Sequence, residues 1–303
     1  MLSSIRKRFP DLYAVHVRKA REREQRARAA RIAQILADAT PPSPIDDDST
    51  LGRLLARRLP GPAPYEYDAL TLWLRAAERV ARLASLGLLT DRPRRILEVC
   101  GGDGTLSEVL ADLGHEVMMV DGRDWRAARA REIPFQVVNV DHGLPFATDE
   151  FDLVVSYNAF EHVGAPPAVL SEMVRVCRPG GHVMLSFGPL YASPFGLHAW
   201  SIPLPWPQYL LSERLREQAL HSQKLNDLGS VLDELQPTNG WLIKQYRALW
   251  AESGCEIERM TEEEDHRFLD LVLEFPEAFR GRGLDFEDLV KNSIEIVLTP
   301  RAR

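Results

Sequence analysis

Three carboxylates stand where strand-like apolar runs end, and one of them sits directly before a cluster of glycines. Glu98 lies within Ile96-Leu97-Glu98-Val99, ahead of Cys100-Gly101-Gly102-Asp103-Gly104, and a helical pattern follows over residues 106–113. Strand, glycine-rich turn and helix in succession let the backbone approach a ligand outside the carboxyl end of the strand. A pyrophosphate wants backbone N–H groups and no neighbouring anion. An acid at position 98 therefore suits a nucleotide-like cofactor that is cationic at that end. Asp121, twenty-three residues beyond Glu98, closes the run His115-Glu116-Val117-Met118-Met119-Val120. That is the place for a carboxylate gripping a ribose diol, a role shared by several cofactor classes. The dinucleotide fingerprint GxGxxG fails, because Ser107 stands at its last position. Plainer readings exist for each residue: a strand-to-helix connection, an Asp-Gly turn at Asp121-Gly122, a local cap at Asp141.

The elements that position these residues follow from patterning. Residues 135–140 form a β-rich run ending in Asp141-His142, and 151–156 form a buried-type strand followed by Tyr157-Asn158-Ala159-Phe160-Glu161-His162-Val163. A helix is expected over about 167–177, stopped by Arg178-Pro179-Gly180-Gly181, with a fifth strand over 182–187.

The segments ILEVCGGDG, VDGRD, VDHGLPFATDEFDLVVSYNAFEHV and RVCRPGGHVMLSF occur in this order over residues 94–189, about a third of the chain. In them the chain resembles the class I S-adenosylmethionine (SAM)-dependent methyltransferases, specifically the methyltransferase type 11 group that includes quinone-biosynthesis C-methyltransferases. The resemblance implies an α/β fold: a Rossmann-like, seven-stranded mixed sheet flanked by helices, its last strand (292–299) inserted antiparallel between strands five and six. It implies that Glu98, Gly101, Gly102 and Gly104 form the SAM loop. Asp121 would hold the ribose hydroxyls, Asp141 and His142 would flank the adenine, and Asn158 would lie beside the methionine portion. The family usually carries glycine where this chain has Cys100.

Composition agrees. A chain of 303 residues, 45% hydrophobic and 27% charged, can bury a full core plus an accessory region. No apolar run has transmembrane length, and no secretory signal pattern follows Arg6-Lys7-Arg8. Three cysteines, Cys100, Cys177 and Cys255, suit a reducing cytoplasm and lack metal-ligand spacing, so no metal site is expected. The net charge of −7 is uneven, with ten Lys/Arg against three acids in residues 1–36. That basic, helix-prone extension (1–40) reads as a solvated helix packing by one end, with peripheral contact to anionic lipid as the alternative. Residues 41–50, rich in Pro and Asp, read as a linker. Helices over 51–90 are expected to lie over the cleft, one of them presenting Leu70, Trp73, Leu74, Ala77, Val80, Ala81 and Ala84 on its apolar face.

The acceptor side is read from the segment after strand five. Residues 188–211 carry five prolines and the aromatics Tyr191, Phe195, Trp200, Trp206 and Tyr209. An irregular insertion of this kind, extending over about 189–240, suits a lid, with a dimer contact as the alternative. Helices are expected within it at 213–221 and 225–235. Beyond it, a helix (241–253), a strand (255–260), an acidic solvated run from Thr261 and a helix (266–273) complete the SAM-binding domain of residues 91–303.

Methyl transfer is an in-line displacement in which a protein aligns the nucleophile, excludes water and, for a hydroxyl, removes a proton. His198 and His162 have the chemistry of such a base, and Tyr191 could orient an acceptor. The reading is a methyltransferase acting on oxygen or nitrogen of an apolar or glycosylated small molecule. The alternative is a non-catalytic module of the same fold, acting through its basic helix. Nucleic acid is not expected as a substrate, since the catalytic region is acidic and Asn158 is followed by Ala159-Phe160, not a base-flipping loop.

Overall fold

β-branched and apolar runs alternating with amphipathic stretches build a parallel sheet covered on both faces. The structure, a computed structural model, describes residues 10–61, 66–199, 202–221, 225–227, 230–232 and 235–301. In chain order the helices α1 (Pro10–Ala37), α2 (Asp48–Ala56) and α3 (Ala69–Ser85) lead into β1 (Arg95–Val99), α4 (Thr105–Asp112) and β2 (Glu116–Asp121). β3 (Phe135–Val137), β4 (Phe151–Tyr157), α5 (Pro166–Val176) and β5 (Cys177–Phe187) follow. Next come α6 (Pro207–Leu210), α7 (Glu213–His221), β6 (Leu225–Asp227), β7 (Ser230–Leu232) and α8 (Ile243–Glu252). β8 (Glu256–Glu264), α9 (Leu269–Glu274), α10 (Pro276–Phe279), α11 (Phe286–Val290) and β9 (Lys291–Thr299) complete the chain.

The sheet order is β3-β2-β1-β4-β5-β9-β8, with β9 antiparallel between β5 and β8. This is the seven-stranded mixed sheet expected, final strand included. The order reverses between β1 and β4, so the cleft opens at the carboxyl ends of these neighbours. Alternation along β1 and β4 splits the core. Leu97, Val99 and Val154 join one buried cluster with α5 and α8; Ile96, Leu153 and Val155 join another with α3 and α4. Each buried aliphatic side chain contributes roughly 1.5–3 kcal/mol.

Four expectations are corrected. The apolar face of α3 that packs inward is Leu72, Ala76 and Leu83, while Leu70, Trp73 and Leu74 are exposed. Both faces are apolar, and the choice falls to tertiary partners: Arg82 pairs with Glu295 of β9, and the Arg79 guanidinium stacks 4.7 Å over the Tyr157 ring. In place of the helix expected there, Leu225–Asp227 and Ser230–Leu232 pair as two antiparallel strands. The acidic run 261–264 is solvated as expected but belongs to strand β8, which runs on past the expected end at residue 260. Its charges are met along the edge by Arg247 and Lys291, both on Glu262, with Lys291 also on Glu264. Finally, residues 41–50 do not hang free: Ile45 bridges Leu211, Asp46 accepts from Ser212 and Arg214, and α2 already begins at Asp48.

The proline- and aromatic-rich insertion is itself a second core. Phe195, Leu204, Trp206, Tyr209 and Leu210 are buried with Ile32 and Leu36 of α1, Leu51 and Leu54 of α2, and Phe268 to Val290 from the β8–β9 connection. The Trp206 indole donates to the Ala192 carbonyl at 2.9 Å, and its ring meets Phe279 edge-on at 5.6 Å. Within the expected lid, Phe195, Trp206 and Tyr209 therefore face protein; Trp200 lies outside the described residues. Among the described residues no helix is long and apolar enough to cross a membrane.

Candidate active site

The turn from β1 to α4 is built around left-handed backbone. Cys100 has φ +56°, Gly102 +59° and Gly104 +72°. A residue with a Cβ costs about 1–2 kcal/mol there, a strain that Cys100 bears and glycine would not. Gly101 has ordinary φ but no room: an added Cβ would lie 2.8 Å from the Glu98 carboxyl carbon and 2.9 Å from the Met119 methyl. Glu98 thus lies beneath the loop, 1% exposed, its Oε2 accepting the Ser107 hydroxyl at 2.5 Å. Burial pushes its carboxyl up to about 7, against the lowering effect of the Ser107 bond and Arg79. Glu98 supports the glycines from below and is not open to the cleft.

Asp121 ends β2 and accepts the Gly102 N–H at 3.0 Å, joining the strand-two carboxylate to the loop. Burial raises its pKa above the ordinary value despite that bond. Beside it opens a cavity of about 360 Å³ lined by Asp121, Arg123, Trp125 and the returning insertion residues Leu235, Gln236 and Pro237. The Cys100 thiol lies among Asp121, Asp141, Glu161 and Glu98; burial, then these acids, raise its pKa, so it is a neutral thiol.

Asp141 sits in a 3₁₀ turn (Val140–His142), where both its oxygens accept backbone N–H groups, Gly164 at 3.1 Å and Ala165 at 2.9 Å. It ties its own turn to the loop entering α5, a contact across the fold and not the local cap open to it from sequence. His142 is exposed. Asn158, exposed and left-handed (φ +51°), bonds through its N–H to the Ser186 carbonyl and stands at the tip of β4.

Two of the expected acceptor-side residues are brought together. The His162 and His198 rings meet edge-on, 4.7 Å between centroids, and with Glu161 their ligand-type atoms lie within 4.8 Å of one another. His198 has φ +57°, and its Nε2 bonds the Pro189 carbonyl at 2.9 Å. Burial, reinforced by His162, lowers its pKa to about 4, so the ring is neutral near pH 7. Glu161 is 1% exposed and burial holds its carboxyl up at about 8. Tyr191 is not part of this group; it packs edge-on against Tyr209 in the second core.

The cluster is positioned by aromatic packing at the tips of β4 and β5. Phe160 and Phe187 lie 5.3 Å apart, with Trp250 5.7 Å from Phe160 and Tyr246 5.1 Å from Phe187, all buried. Phe160 precedes Glu161, and Phe187 precedes Gly188, whose N–H donates to Glu161 Oε1 at 3.1 Å. Sequence reasoning missed the strap that closes this region. The Asn239 N–H donates to the Glu161 carbonyl, its side-chain amide donates to the Phe160 carbonyl, and its oxygen accepts the Tyr246 hydroxyl. His162 Nδ1 bonds the Pro237 carbonyl at 3.0 Å. In sequence the Asn239-Gly240 pair after Pro237 signals a turn and carries no sign of these distant partners.

Residues 71–259 match the family model described as a methyltransferase domain. Among curated proteins, the chain is similar to an uncharacterized methyltransferase of Mycobacterium leprae, 33% identical over 174 residues, covering 54% of this chain and 64% of that protein. It is similar to another from a Mycobacterium strain (JLS), 33% identical over 154 residues, covering 50% and 60%. The matches thus span less than two thirds of these relatives' length. Among solved structures, a SAM-dependent methyltransferase of Methanosarcina mazei aligns over 73% of this chain and 98% of its own, at 17% identity and a TM-score of 0.47.

Proposed function

The chain belongs to the methyltransferase-domain family, and from that premise we propose that it is a class I SAM-dependent enzyme that methylates an oxygen or nitrogen of an apolar or glycosylated small molecule. The observation that carries this reading is the strap at residues 235–239. It walls the Asp121 cavity at one end and, through Pro237 and Asn239, bonds His162 and Glu161 at the other. A single segment thereby spans from the cofactor carboxylate to the imidazole pair.

The residues present fit SAM. The left-handed, glycine-rich turn lets backbone approach a ligand at the end of β1, and the chemistry of Asp121 suits a ribose diol. When bound, SAM supplies a methyl group activated by a sulfonium. Asp121 would hold the ribose end, Trp125 and Leu235 would wall it, and Asn158 would flank the methionine end. Glu161, His162 and His198 would receive the acceptor. His198, neutral, offers an acceptor nitrogen to a hydroxyl or amine proton. An amine acceptor asks only for this positioning; a hydroxyl also gives up a proton to the cluster.

The test is transfer of labelled methyl from SAM to a panel of hydroxyl- and amine-bearing small molecules, with His198→Ala beside wild type. Loss of turnover with S-adenosylhomocysteine affinity retained supports the assignment. Full turnover in the variant removes His198 from the acceptor site, and lost cofactor affinity moves it to the SAM side.

A further inference from the structure

The Glu161–His162–His198 group has features that an acceptor pocket alone does not require. A backbone carbonyl can only accept, so the His162 Nδ1 at Pro237 and the His198 Nε2 at Pro189 must both carry hydrogen. In the neutral rings the lone pairs then belong to His162 Nε2 and His198 Nδ1. Anchoring one ring N–H on a carbonyl so that the other nitrogen serves as donor is the arrangement that orients imidazole ligands around metals. Beside them Glu161 commits Oε1 to the Gly188 N–H, while its Oε2 is buried and has no hydrogen-bond partner among the described residues. A buried carboxylate oxygen left unpaired is costly unless something else meets it.

We propose that Glu161, His162 and His198 form a binding site for a divalent first-row transition-metal ion. Two imidazole nitrogens and one carboxylate oxygen are the donor set suited to zinc, and also to cobalt, iron or manganese. Their ligand atoms lie within 4.8 Å of one another. Tetrahedral ligands at about 2.1 Å from one ion are about 3.4 Å apart, so seating a metal draws the three ligand atoms together by at most about 1.4 Å. Three protein ligands leave coordination positions open, as in catalytic rather than structural sites. Resting on the acceptor reading above, an acceptor oxygen would occupy such a position, where the ion favours its deprotonated form. Sequence spacing concealed the site, because His198 comes from the insertion, thirty-six residues after the adjacent Glu161-His162 pair.

The experiment is titration of the tag-free full chain with Co²⁺ and with Zn²⁺, followed by calorimetry and by the visible d–d absorption of cobalt. One ion per chain is expected, with affinity reduced at least about tenfold in both Glu161→Gln and His198→Ala. His266→Ala, which breaks the exposed His266–Glu264 pair, should leave binding unchanged. No stoichiometric binding by wild type, wild-type affinity in both site variants, or loss in His266→Ala instead would overturn the proposal. X-ray absorption of the zinc-loaded wild type shows imidazole and oxygen scatterers directly, so a variant that fails to fold does not decide the matter. S-adenosylhomocysteine titration separates the two readings: protein that binds it but takes up no metal loses only the metal site, and the reverse result loses only the methyl-transfer reading.

Discussion

Glu98→Gln is expected to change how stability responds to pH more than it changes stability at any one pH. Glu98 is 1% exposed beneath the glycine loop, and burial holds its carboxyl at about 7 against an ordinary 4.5. A carboxyl raised in the folded state contributes stability that is fully present below pH 4.5 and is lost as pH rises to about 7. At about 1.4 kcal/mol per pKa unit, the loss is at most about 3 kcal/mol. The amide does not ionise, so the variant lacks this loss. Its carbonyl can still accept the Ser107 hydroxyl; its NH₂ brings a donor with no designed partner, a penalty that does not vary with pH. The readout is therefore the slope. From pH 4.5 to 7.5 the stability of the variant relative to wild type should rise by about 3 kcal/mol, or about 5 °C in unfolding midpoint for 303 residues. Glu161, held at about 8, and His198, at about 4, titrate in both proteins and cancel in the difference. A flat difference would refute the buried, protonated Glu98. A difference falling with pH would mean that Glu98 is ionised in the folded chain and held by a cation.

Three further outcomes rest on the same geometry. Cys100→Gly removes a side chain from left-handed backbone (φ +56°) but adds chain entropy, so urea midpoints should move by no more than about 1 kcal/mol, with S-adenosylhomocysteine affinity equal to wild type or better. A clear loss of that affinity would show that the Cys100 side chain contributes to the cleft. Trp206→Ala empties the second core at a fully buried position and leaves the Ala192 carbonyl unpaired; denaturation should register a loss of about 3–5 kcal/mol, and a loss under about 1 kcal/mol would mean that this core is not a cooperative part of the fold. His198→Ala removes a ring that must stay neutral while its unfolded counterpart protonates. Stability that wild type loses as pH falls from 6.5 to about 4 should therefore be retained in the variant, and parallel acid denaturation curves for the two proteins would contradict that.

The sheet was legible because each strand is an apolar or β-branched run closed by a turn former. Asp121, the Pro179-Gly180 pair and the glycines after Val99 all fall where strands end or bend. The loop glycines were legible for the same reason, since two of their positions need left-handed backbone. What escaped local pattern was decided by distant partners. Nothing near Leu70 or Leu72 tells which face of α3 turns inward; Arg82 and Glu295, 213 residues apart, settle it. The acidic stretch Glu262-Glu263-Glu264 becomes strand because Arg247 and Lys291 come to meet it. The insertion read as a lid because its aromatics had no visible partners; they lie in α1, α2 and the β8–β9 connection. In sequence Glu161 is only the neighbour of His162, because its setting depends on Gly188 and on Asn239, far along the chain.

The central claim, that the β1 loop and Asp121 form a SAM site, is tested most directly by calorimetric titration of the full chain with S-adenosylhomocysteine, beside Asp121→Ala of matching circular dichroism. The geometry predicts saturable binding at one site per chain, weakened at least about tenfold in the variant, which loses a charged hydrogen-bond acceptor worth about 1.5–3 kcal/mol. No binding by folded wild type, or equal affinity in the two proteins, would contradict it.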